Sequence, residues 1–209
     1  MLKPEPLTRL GSALVFGGVA VLAWHGWTFH ERSVAQQRAK RWLIRMTAVH
    51  HSAPPPPVHS GDVIGELEIP RLKVSVMVFE GDDAGILSHG AGHIPGTALP
   101  PDSGNVGIAA HRDTYFRPLR VVHANDIITL KTPSGTSQYA VTETKIVPPS
   151  DIGVLAHARG RDLTLVTCYP FYYVGNAPER FIVHAQKIES RSALHLPSTQ
   201  AHPLSANSR

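Results

Sequence analysis

The chain has a single cysteine, Cys168, in 209 residues. One thiol cannot close an intramolecular disulfide, and with no CxxC pair or repeated Cys/His spacing there is no structural zinc site to read. Stability must therefore come from packing. Aromatic residues supply only 7% of the chain and charged residues 17%, yet 42% is hydrophobic, which is enough for a core and excludes a disordered polyampholyte. The length leaves no room for two full catalytic domains. Acidic charge is scarce at the N-terminus, and the net charge of +4 raises the question of nucleic acid. Its distribution excludes that partner. Residues 61–189 carry 11 basic and 14 acidic side chains, so the part able to fold lacks the clustered cations that phosphate binding needs.

Charge is absent altogether from Leu10 to Phe29, where 13 of 20 positions are apolar. A helix of that length covers about 30 Å, the thickness of a bilayer's hydrocarbon core, and Trp24, Trp27 and Phe29 gather at its C-terminal end as interfacial aromatics do. A cleaved secretory signal needs a shorter apolar core and a small-x-small site after it, and Trp-His-Gly-Trp-Thr-Phe-His-Glu-Arg offers none. The expectation is one uncleaved transmembrane anchor over residues 10–30, preceded by a short N-terminus over 1–9. Residues 33–51 read as an amphipathic helix that continues the anchor or lies at the headgroups, with Ala35, Ala39, Trp42, Leu43, Met46 and Val49 on one face. Pro54 to Pro57 ends any helix and favours a stiff spacer, so residues 31–60 form the linker.

From Gly61 the texture changes to short strand-like runs: Val63–Ile69, Val74–Glu80, Asn105–His111, Asp126–Lys131, Gln138–Val147, Leu163–Cys168 and Arg180–Glu189. Thr132-Pro133-Ser134-Gly135 is a hairpin turn signal between two of them. Long 3.6-residue periods are missing, and only Asp83–Leu87 and Ser150–His157 suit short helices. This profile points to an all-β barrel or sandwich over residues 61–189, not to alternating βαβ units. Residues 190–209 read as a polar, disordered tail.

Cys168 closes the run Leu163-Thr164-Leu165-Val166-Thr167-Cys168, and Pro170 stops strand pairing just beyond. A free cysteine is most often a small buried apolar residue; a nucleophile needs a base and a charge for the developing oxyanion. His111 ends one strand where small apolar residues give way to Arg112-Asp113-Thr114. Arg180 opens another after a Pro/Gly-containing loop. Either residue alone is ordinarily a solvated strand end or a local salt bridge.

Thr164-Leu165-Val166-Thr167-Cys168 resembles the Thr-Leu-x-Thr-Cys motif of sortases, membrane-anchored cysteine transpeptidases of the bacterial surface. The stretch Cys168-Tyr169-Pro170-Phe171-Tyr172-Tyr173-Val174-Gly175-Asn176-Ala177-Pro178-Glu179-Arg180-Phe181 is similar to class D sortases in particular. The likeness extends through Gly92-His93-Ile94-Pro95-Gly96-Thr97, Gly104-Asn105-Val106-Gly107-Ile108-Ala109-Ala110-His111-Arg112 and Phe116-Arg117-Pro118-Leu119. It departs at Ala110, where a glycine commonly precedes the family's histidine. The resemblance implies a sortase-type β-barrel with a few short helices, preceded by one transmembrane helix. It assigns the nucleophile to Cys168, the acid/base to His111 and the oxyanion-stabilising charge to Arg180. His93 and Thr167 fall beside the site as substrate-contacting or supporting groups, although the Pro and Gly neighbours of His93 equally suit a loop-structural role.

The implied substrates are proteins with an LPxTG-like sorting signal, cleaved after Thr, and the implied acceptor is an amine such as a cell-wall precursor or a pilin lysine. No cofactor is implied, and no metal. Glu80-Asp82-Asp83 lacks a calcium ligand loop, and His89, His123, His157 and His184 show no metal-ligand spacing and read as structural or solvated. Orientation is contested. Counting Lys and Arg around the span would place the C-terminal side in the cytoplasm, whereas the resemblance places the catalytic domain outside it. Two competing functions remain: a same-fold cysteine endopeptidase acting by hydrolysis, and a non-catalytic membrane-tethered binding module with Cys168 merely packed. Leu196-Pro197-Ser198-Thr199 in the tail matches the Leu-Pro-x-Thr pattern but lacks the layout of a sorting signal.

Overall fold

The computed structural model describes residues 6–48, 57–100, 102–156 and 160–188. Eight strands form a closed barrel: β1 (Val63–Ile69), β2 (Val74–Glu80), β3 (Ala91–His93), β4 (Gly104–Ala109), β5 (Ile127–Thr132), β6 (Gly135–Val147), β7 (Arg161–Tyr169) and β8 (Glu179–Lys187). Around the barrel the order is β1-β2-β3-β4-β7-β8-β6-β5, and β5 closes on β1. Most neighbours are antiparallel; β2 with β3 and β4 with β7 run parallel. Closure removes the free edges that an open sheet would present to other chains.

The alternation of side chains explains the core. On β1, β2, β4 and β7 every second residue points inward, so Leu67, Ile69, Val76, Val78, Val106, Ile108, Leu163 and Leu165 join one buried cluster with Phe116, Leu119, Ile128 and Leu130. The expected hairpin forms at Thr132–Gly135, where Gly135 adopts φ 140, a left-handed conformation that favours glycine.

Seven of the eight strands coincide with expected runs, within a few residues at their ends. Strand β4 stops at Ala109, because the chain leaves the sheet before His111, and β8 ends at Lys187, with Glu189 outside the described residues. Strand β3 was not expected. It has three residues, one of them glycine, and it exists because Val78–Glu80 and Ala109 need partners on facing edges. The short helix α2 (Ala84–His89) starts one residue into the expected run, with Asp83 as its cap: its Oδ1 accepts from Gly85 N and Ile86 N. Ser150–His157 yields only a 3-10 turn, Ile152–Leu155; His157 lies outside the described residues.

The N-terminal segment is one helix, α1 (Pro6–Ala48). Among the described residues no helix is long and apolar enough to cross a membrane. The expected span over Leu10–Phe29 includes positions whose side chains lie outside the described ones; within it Leu14, Phe16, Val19, Leu22 and Trp24 are exposed. The C-terminal half of α1 packs on the barrel. Ala39 and Leu43 bury themselves against Met77, flanked by Val63 and Phe79. Met77 lies where β2 extends beyond the reach of β3, and Gln36 serves that open edge: its Oε1 accepts from Met77 N at 2.7 Å and its Nε2 donates to His89 O at 2.5 Å. Lys40 Nζ lies 2.7 Å from Glu66 Oε1, which also accepts from Ser75. Burial pushes the Glu66 carboxyl up, but these two hydrogen bonds together with the charges of Lys40 and Lys131 outweigh it and lower the carboxyl from its ordinary value. The polyproline spacer at Pro54–Pro56 and the tail, with its Leu196–Thr199 match, fall outside the described residues.

Candidate active site

The ends of β4, β7 and β8 meet on the outer face of the barrel. In the β7–β8 ladder Cys168 pairs directly with Arg180, Val166 with Ile182, Thr164 with His184 and Asp162 with Gln186. Because Leu163, Leu165 and Thr167 point inward, these pairs line the opposite, outward face. Strand β4 runs parallel to β7 with Ala109 opposite Val166. The ladder ends at this pair, and His111 and Cys168 each follow two residues beyond it in their own segments. The bond from Ala110 N to Val166 O, 3.2 Å, holds the chain in line at the step before His111.

Thr167 fastens this junction from beneath. It is buried, and its hydroxyl donates to Ala110 O at 2.7 Å. It therefore supports the backbone that presents His111 and does not face the surface on which Cys168 lies. Tyr169, Phe171 and Phe181 brace the strand ends beside Cys168 and Arg180, with ring centroids 5.2 to 6.2 Å apart.

Cys168, His111 and Arg180 are each half-buried. Among the described residues none of the three side chains is hydrogen-bonded to another; Arg180 Nη1 donates to Ala177 O and Glu179 O within its own loop. The neighbouring Arg112 reaches across to the loop between β7 and β8, where its Nη2 donates to Tyr173 O at 2.7 Å and Gly175 O at 3.0 Å. This link joins the two segments that flank Cys168. It was not foreseen, because its acceptors are backbone carbonyls that leave no mark on residue type.

His93 is not part of this group. It is buried on β3 with Nδ1 2.7 Å from Glu80 Oε2, while Nε2 lies 3.0 Å from both Ala98 O and Thr97 Oγ1. Thr97 in turn donates to Ile94 O and accepts from Gly107 N. The ring is saturated by its own loop and by β2, which favours the loop-structural alternative. Among the described residues no group of three or more His, Cys, Asp or Glu side chains could hold a metal ion.

Residues 67–188 match the Sortase domain family, more than half of the chain. The chain belongs to the sortase family. It is 37% identical over 131 residues to Sortase D of Bacillus subtilis, covering 62% of this chain and 66% of that protein. With Sortase A of Listeria monocytogenes it shares 31% over 114 residues, 51% of this chain and 49% of the other. The Clostridium perfringens Sortase D5 transpeptidase superposes with a TM-score of 0.58 at 30% identity, covering 63% of this chain and 82% of that one. The match spans 66% and 49% of the length of these two curated relatives. Within this sortase barrel Cys168 pairs with Arg180 across β7 and β8, and His111 directly follows the Ala110 that is bonded to Val166 and Thr167. Thr167 is buried beneath this junction, and His93 is held in its own loop.

Proposed function

We propose that this sortase is a cysteine transpeptidase that cleaves an LPxTG-like sorting signal after its Thr and transfers the acyl part to an amine. The cross-strand pair Cys168–Arg180 carries the reading, with His111 two residues beyond the end of the neighbouring strand β4. Cys168 Sγ, as thiolate, attacks the Thr carbonyl carbon. Arg180 turns from its loop carbonyls to the tetrahedral oxyanion, and the His111 imidazolium gives its proton to the departing amine. The C–N bond breaks and a thioester remains. An incoming amine then attacks, His111 takes its proton, and the new amide forms as the thiolate leaves.

We also place the domain at the outer surface of the cell, held by α1. The charge-free run Leu10–Phe29 and the exposed Leu14, Phe16, Val19 and Leu22 support that anchor, since so continuous an apolar surface is costly in water. The acceptor would be an amine of the cell surface, such as a cell-wall precursor or a pilin lysine.

The test is incubation with a Leu-Pro-x-Thr-Gly peptide, with and without an added amine, followed by mass spectrometry. The expected result is a thioester on Cys168 and a shift from hydrolysed to aminolysed product when the amine is present. Equal hydrolysis in both conditions would favour an endopeptidase instead.

A further inference from the structure

The turn that presents His111 is tied at both ends. Before the histidine, Ala110 is bonded to Val166 and Thr167; after it, Phe116 N donates to His111 O at 3.1 Å, and Phe116 is wholly buried in the core. The His111 ring itself has no hydrogen bond among the described residues, so its backbone places it. One further hold on the turn is Tyr115, which packs against the core and donates its hydroxyl to His89 O at 3.0 Å.

That carbonyl is the last of α2, one of those that a helix end leaves without an intrahelical partner. It accepts from two sides. Tyr115 approaches from the His111 turn, and Gln36 Nε2 approaches from α1 at 2.5 Å. Gln36 is itself fixed, because its Oε1 accepts from Met77 N, and Ala39 and Leu43 of the same helix bury against Met77. The junction has no slack. A Cβ on Gly90, the residue after His89, would lie 2.6 Å from Met77 O and from Phe79 Cε2 and 2.8 Å from Gln36 Nε2. Parts packed this closely shift together. Burial raises the Tyr115 phenol above its ordinary value, more than the charge of Arg32 on α1 lowers it, so the hydroxyl keeps the proton it donates.

We propose that Tyr115 is a positioning residue for His111 and that α1 acts through it: Gln36 seats the carbonyl to which Tyr115 is bonded, so the docked half of the helix sets the placement of the imidazole. This role rests on the reading of His111 as acid and base. Proton transfer needs hydrogen-bond reach, so a displacement of about 1 Å in the turn slows the chemical step while leaving the binding of a peptide nearly as it was. The chain of contacts from residue 36 to residue 111 is contiguous. Whether it carries energy is what a double-mutant cycle measures.

The test uses the full-length protein in mild detergent, with Tyr115→Phe, Gln36→Leu and the two combined. Initial rates on a Leu-Pro-x-Thr-Gly peptide are referred to the folded fraction from urea titration, and the histidine rings are followed by carbon-proton NMR, with the His111 signal assigned by its loss in His111→Ala. Tyr115→Phe keeps the ring and removes only the donor; kcat should fall about fivefold, the scale of one hydrogen bond, with KM within about twofold. Gln36→Leu should lower kcat about threefold in the same manner, and the combination should fall no further than Tyr115→Phe alone, because both act through one carbonyl. In each variant the His111 signal should move while that of His93 stays. A lowered melting temperature with kcat per folded molecule and the His111 signal both unchanged overturns the proposal. So does a His111 signal that ignores Gln36→Leu, or a combined loss equal to the product of the two single losses. A His111 signal that moves in both variants while the parent itself turns over no peptide counts against the transpeptidase reading and leaves the positioning role standing.

Discussion

His93, on β3, and His111, just beyond the end of the neighbouring β4, stand at opposite conditions. The ring of His93 is 2% exposed, and both its nitrogens are engaged by Glu80, Thr97 and Ala98. His111 is half-buried and its ring has no hydrogen bond among the described residues, while the backbone beneath it is tied by Ala110 and Thr167. Both residues come from Gly- and Ala-rich motifs of similar texture, so residue type alone does not separate them. The difference is one of satisfaction. A histidine whose partners are all internal holds a loop in place, whereas one held by its backbone with its ring left free can exchange protons with a substrate.

The strongest way to break this contrast is to remove the groups on the free side. Cys168→Ala should abolish acyl-enzyme formation in mass spectra, and His111→Ala should lower kcat by about 100-fold or more, the scale of losing a general acid and base. Both proteins should keep a melting temperature close to that of the parent, because neither residue closes a buried network. Persistent turnover in the cysteine variant would remove the nucleophile assignment.

The saturated side should answer in the opposite currency. His93→Ala leaves Glu80 and the carbonyl of Ala98 without their partner, and a loss of about 2–4 kcal/mol of stability in urea titration is expected. The fraction that remains folded should turn over within a few-fold of the parent. A large kcat loss at unchanged stability would instead place His93 in the chemistry.

Arg112 tests the link between the two flanks of Cys168. Arg112→Ala removes donors to Tyr173 O and Gly175 O and frees the loop before Arg180. The expected outcome is a several-fold rise in KM with a smaller change in kcat, read from initial rates. Lysine at this position should rescue only in part, since one ammonium does not reproduce the geometry of a guanidinium.

The smallest effect concerns another saturated pair. Hydrogen bonding to Arg71 lowers the Asp126 carboxyl from its ordinary value, burial opposes that, and the backbone N–H of His123 adds to the lowering. The folded value lies below the unfolded one, so this stabilisation is present above the ordinary carboxylate value and is lost as pH falls through the folded value. The melting temperatures of the parent and of Asp126→Asn should therefore converge as pH is lowered through that range. A gap that stays constant would assign the role of Asp126 to packing.

Much of this was legible in order along the chain. Period-two runs such as Val74–Glu80 and Leu163–Cys168 announce strands because one face must be apolar to be buried, and the Thr-Leu-Val-Thr-Cys run with its downstream Arg180 identifies the family and the candidate trio. Strand β3 was not legible, since three residues carry no period and it forms only to complete its neighbours' ladders. Nor was the docking of α1: Ala39 and Leu43 read as an amphipathic face, but nothing local says that Met77 and an open edge of β2 lie opposite.

Local order along the chain sets seven of the eight strands, the turns that interrupt them, and the side chains chemically able to act as nucleophile, base and cation. Only the closed barrel sets Cys168 across from Arg180, turns Thr167 inward onto the backbone before His111, engages both nitrogens of His93 within its own loop and β2, and brings His184 against Thr164 and Asn105. The physical reason is that hydrophobic period and turn propensity are properties of neighbours in sequence. Register across a barrel, and the hydrogen bonds that leave one ring free and another satisfied, depend on partners tens of residues away and are set only when the whole sheet closes.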